Sequence, residues 1–141
     1  MSKTIVDFYL GRDGPTIRID AQETTAIKSL LHAFESLSLR TGERVDVTRL
    51  PGFVFTERIG GLVLASVPSS ARKKVIRTSP KEAVATFAMN GAVDDWADAK
   101  YMIAPLLKGT PSHQYFSAVP PDDAVVEIAL MEKRPVWAKK F

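Results

Sequence analysis

Two stretches of this chain repeat apolar residues at the spacing of a helix, and short extended runs crowd between and around them. That order constrains the fold more than any other feature. Strands that cluster, rather than alternating with helices, favour an antiparallel sheet covered by helices on one side. The expectation is an α+β domain spanning 1–141, with about five to seven mainly antiparallel strands and two helices packed on one face.

In the first helical stretch, Ile27, Leu30, Leu31, Phe34 and Leu37 fall on one apolar stripe. Asp20 and Glu23 have the spacing of a capping box at its start, and Thr41-Gly42 marks its end. The second stretch runs from about Ala92 to Lys108 and gathers Trp96, Ile103, Leu106 and Leu107 on a common face. Asp94, Asp95 and Asp98 suit the positive N-terminal end of that helix, and Pro105 predicts a kink or early end.

The extended runs begin with IVDFYL (Ile5 to Leu10) and TIRID (Thr16 to Asp20), a hairpin across GRDGP. Glu43 to Leu50 carries Val45 and Val47 in alternation. FVFT (Phe53 to Thr56) and GLVLASV (Gly61 to Val67) read as two strands joined around Arg58 to Gly60, with the IGG stretch as a glycine turn. KKVIRT and EAVATFAM form a further hairpin across Ser79-Pro80, and VVEIALME (Val125 to Glu132) closes the fold. A basic tail, about 133–141, follows.

Composition excludes several function classes. The chain of 141 residues is 45% hydrophobic, enough for a core of its own. It has no cysteine, which removes disulfides, thiolate nucleophiles and Cys-ligated metals together. The N-terminus lacks the apolar segment of a signal peptide, and no run is long enough to cross a bilayer, so a soluble cytoplasmic protein without membrane contact is expected.

The stretch TPSHQYFSAVPPDD holds His113, one of two histidines, beside Tyr115 and Phe116. His113 has the chemistry of a general base, and a small enzyme or ligand-binding protein with a pocket there is one reading. Ser112, however, lacks the G-x-S-x-G elbow of an exposed nucleophile. The favoured reading is the start of a strand, with His113 and Tyr115 on one side and Gln114 and Phe116 on the other. His32 and His113 belong to no metal-binding spacing, and no phosphate-cradling glycine motif is present. No catalytic set, metal or cofactor is therefore expected.

The strongest electrostatic feature is SSARKKVIRTSPK, with Arg72, Lys73, Lys74, Arg77 and Lys81 in a chain of net charge +3. Such a strip suits a phosphate backbone or an acidic protein surface, or it guards an edge strand against pairing. Nucleic acid is accordingly the alternative partner.

The late helix DDWADAKYMIAPLL, the HQY stretch and the final alternating strand together resemble small bacterial α+β proteins, among them immunity proteins that neutralise toxins, over residues 93–131. The resemblance implies a non-enzymatic protein-binding module. The positive charge points to an acidic toxin surface as partner, met by Arg72, Lys73, Lys74, Arg77, Tyr115, Phe116 and Trp137.

Overall fold

The structure, a computed structural model, describes residues 3–12, 14–68, 74–116 and 123–132, with the side chain of Lys74 outside that set. In chain order the elements are β1 (Thr4–Gly11), β2 (Gly14–Ala21), α1 (Thr24–Leu39), β3 (Arg44–Asp46), a 3-10 turn (Val47–Arg49), β4 (Phe53–Phe55) and β5 (Ile59–Ser66). There follow β6 (Lys74–Arg77), β7 (Ala85–Gly91), α2 (Val93–Ile103), a second 3-10 turn (Ala104–Lys108), β8 (Ser112–Phe116) and β9 (Val125–Leu130).

The α+β composition is as expected, and the expectation of one mainly antiparallel sheet is met only in part. Nine strands among the described residues form two mixed sheets, ordered β4-β1-β2-β9-β8 and β3-β5-β7-β6. The β1–β2, β3–β5, β6–β7 and β8–β9 pairs are antiparallel, whereas β1–β4, β2–β9 and β5–β7 are parallel. Parallel partners need long crossovers, which local turn signals cannot announce. Two neighbours in sequence, β4 and β5, end up in different sheets. The IGG stretch is not a turn. It lies at the start of β5, where the pairing with β7 shifts register between Ile59 and Gly61 as in a bulge.

The helices bridge the sheets rather than lying on one face of a single sheet. α1 touches β2, β3 and β5, and α2 touches β7, β8 and α1. Between them lies an apolar core. Phe8 meets Phe87 across the two sheets at 5.0 Å between ring centroids, and Phe34 of α1 meets Trp96 of α2 at 5.3 Å and Phe116 of β8 at 6.0 Å. The helical stripe is confirmed: Ile27, Leu30, Phe34 and Leu37 are buried, and Leu31 packs against the core at its margin.

Asp20 does not cap α1. Strand β2 continues through Ala21, whose carbonyl accepts the Met131 N–H at 2.8 Å, so the chain is still extended where the cap was expected. The helix starts at Thr24 with Glu23 as an extended N-cap that makes no side-chain capping bond, and it ends at Leu39. The second helix follows its sequence closely. Asp95 accepts the Ala92 N–H at 2.9 Å, and Pro105 falls where α2 gives way to the 3-10 turn. Gly109 ends that turn at φ 78, the left-handed conformation that glycine adopts without steric cost. Gly91 has a packing role: a Cβ there would sit 3.1 Å from the indole nitrogen of Trp96, which donates to the carbonyls of Ala65 and Gly91.

A buried charged cluster as the candidate functional site

The five-stranded sheet has two unlike faces, and the two-residue period of its strands decides which side chains go where. Residues opposite one another in neighbouring strands share a face. Val6, Ile17, Ile19, Val126, Ile128 and Phe116 therefore point into the core. The alternate positions carry Asp7 and Tyr9 from β1, Arg18 and Asp20 from β2, Glu127 from β9, and His113 and Tyr115 from β8. These lie on the face turned away from that core.

Arg18 is the hub. Its side chain is 2% exposed and its Nη1 donates to Glu127 Oε1 at 3.3 Å, with Glu127 itself 6% exposed. The Tyr9 hydroxyl donates to the same oxygen at 3.4 Å. Nη2 reaches the Glu132 carbonyl at 3.3 Å and lies 3.8 Å from Asp20 Oδ1. Burial works against the charge on Arg18, but the carboxylates of Glu127 and Asp20 outweigh it and hold the guanidinium above its ordinary value. Burial and the neighbouring Glu127 carboxylate push the Tyr9 hydroxyl up, so Tyr9 stays protonated and serves as a donor.

Towards the rim, His113 Nδ1 lies 2.8 Å from Glu132 Oε1, and its ring meets Tyr115 edge-on at 5.2 Å and 78°. Met131, immediately before Glu132, takes φ 57, a rare conformation for a residue with a side chain. His113, Glu127 and Glu132 bring ligand atoms within 4.8 Å of one another. A separate ion pair lies further along the face. Arg58 holds the fully buried Asp7 through two bonds of 3.0 and 2.6 Å, and the Thr56 hydroxyl adds a third at 2.6 Å. The bond to Asp7 is what raises the Arg58 guanidinium.

The residues expected to meet a partner are scattered. Arg72, Lys73 and Trp137 lie outside the described residues, and of Lys74 only the backbone, in β6, is described. Arg77 shares a side of β6 with the buried Val75, and its Nη2 donates to the carbonyls of Pro80, Lys81 and Ala83, the shortest at 2.9 Å. Phe116 is fully buried against Phe34, so it belongs to the core and not to a contact surface. Tyr115 is 46% exposed. Strand β8 does start where the HQY stretch predicts, with His113 and Tyr115 on one side.

Sequence reasoning missed Arg18, Glu127 and Glu132 as members of one cluster. The signal was present as a charge set between two aliphatic residues, Ile17-Arg18-Ile19 and Val126-Glu127-Ile128. Their meeting depends on the parallel β2–β9 pair, which places Arg18 directly opposite Glu127.

Compared with protein-family models, curated proteins and solved structures, the chain matches none of them. No helix among the described residues is long and apolar enough to cross a membrane.

Proposed function

We propose that this chain is a non-catalytic protein-binding module acting in the cytoplasm, of the kind that immunity-type inhibitors represent, and that its contact surface centres on Tyr115 and His113. The observation that carries this reading is the ordered aromatic pair at the rim of the charged face. Tyr115 stands 46% exposed, set edge-on against His113, and the His113 ring is tied to Glu132. An aromatic already held in one orientation loses little rotamer freedom on binding, and such residues dominate interface energetics. The hydrogen bond of His113 goes to a carboxylate, and no hydroxyl among the described residues bonds to it as an activated nucleophile does in acyl transfer.

The test is capture of the partner by purified protein carrying Tyr115→Ala, beside wild type and Tyr101→Ala. Tyr101 is the control because it is 79% exposed on α2, away from the charged face. A partner held by wild type and Tyr101→Ala and lost with Tyr115→Ala supports the reading. Equal capture by all three proteins, or loss with Tyr101→Ala alone, refutes it.

A further inference from the structure

We propose that His113, Glu127 and Glu132 form a site for a borderline divalent cation of the zinc or manganese type. The inference does not depend on the partner-binding reading.

The backbone brings the three donors together from two strands and the turn that follows. Glu127 projects from the middle of β9, and His113 stands on β8 opposite Ala129, two positions further along. The left-handed turn at Met131 follows β9, and the Glu132 carboxylate beyond it stands against the His113 ring. An imidazole nitrogen with two carboxylate oxygens is the donor chemistry of zinc, manganese or ferrous iron rather than of calcium or magnesium, which prefer oxygen alone. Metal–donor bonds of roughly 2.0–2.2 Å place donors about 3.0–3.6 Å apart around one ion. The His113–Glu132 contact of 2.8 Å is already near that spacing, and the whole set falls within 4.8 Å. His113 and Glu132 have side chains 42% and 28% exposed, so rotamer changes at the rim can close the remaining gap onto the fixed Glu127.

A further observation points to a cation and not merely to a cluster of acids. It concerns Glu127, which is buried and whose Oε1 takes both the Arg18 and the Tyr9 bonds. No hydrogen bond from a described residue reaches its Oε2. One oxygen is thus oriented by its neighbours, as in metal sites where an outer residue fixes the ligating group. Three protein ligands leave at least one coordination position for water or a partner's donor.

The experiment is thermal unfolding and calorimetric titration of chelator-treated full-length protein with zinc, manganese and magnesium added singly. Zinc or manganese at about 100 times its Kd raises the melting temperature by on the order of 5–10 °C, and magnesium at the same concentration does not. His113→Ala and Glu132→Gln, both at exposed or half-exposed positions that leave the Arg18–Glu127 pair in place, each weaken binding by about tenfold or more. His32→Ala removes the other histidine, exposed on α1, and leaves binding unchanged. Acidification lowers the affinity, because a protonated imidazole cannot ligate. Absence of any shift with millimolar zinc or manganese, or binding that survives both His113→Ala and Glu132→Gln, overturns the proposal.

Discussion

The charge pair between β2 and β9 makes the sharpest test of how this fold is held together. At 3.3 Å and an effective dielectric of about 20, the Arg18–Glu127 attraction is about 5 kcal/mol before desolvation is subtracted. Both side chains are almost fully buried, so desolvation consumes much of that gain. Removing one member is a different matter from removing both. Arg18→Met leaves Glu127 as a buried carboxylate with the Tyr9 hydroxyl as its one remaining donor among the described residues, and the expected cost is about 3–5 kcal/mol. Glu127→Leu costs less, because Arg18 keeps Asp20 at 3.8 Å and the Glu132 carbonyl at 3.3 Å. The double variant Arg18→Met/Glu127→Leu lays one apolar side chain opposite another and costs less than Arg18→Met alone. Urea denaturation of the four proteins, with unchanged m-values, gives the coupling directly. Additive single and double effects, or an Arg18→Met variant within about 1 kcal/mol of wild type, would show that the pair does not hold the two strands in the way described.

Two other perturbations follow from the structure. The folded-state proton affinity of Tyr9 is raised above the ordinary tyrosine value of 10.0, so its contribution is fully present below that pH and is lost as pH rises towards the folded value. Stability measured by denaturant melts should therefore decline above pH 10.0, and Tyr9→Phe should flatten that decline; a variant with an unchanged alkaline slope counts against the assignment. Gly91→Ala drives a methyl to 3.1–3.3 Å from Trp96 and Asp95, and is expected to cost about 1–3 kcal/mol with a change in tryptophan emission. A fully stable Gly91→Ala protein with wild-type emission would mean that the indole is not seated against that strand.

Much of the local structure follows from the residues alone, because periodicity and turn chemistry act over a few positions. The β1–β2 hairpin, the β6–β7 hairpin, the α1 stripe of Ile27, Leu30, Phe34 and Leu37, and the end of α2 near Pro105 all reflect such short-range rules. So does the alternation in β8 that turns Tyr115 outward and Phe116 inward. What a period cannot say is which strand lies beside which. The parallel pairing of β2 with β9 set VVEIAL between β2 and β8, and it kept Asp20 in a strand when its spacing to Glu23 suits a helix cap. The charged cluster is a product of that same pairing. Arg18 and Glu127 are 109 positions apart, and each reads locally as the solvent-facing member of an alternating strand. Tertiary pairing buried both and gave each the other as its counter-charge, because a charge leaves water at tolerable cost only where an opposite charge and hydrogen bonds meet it.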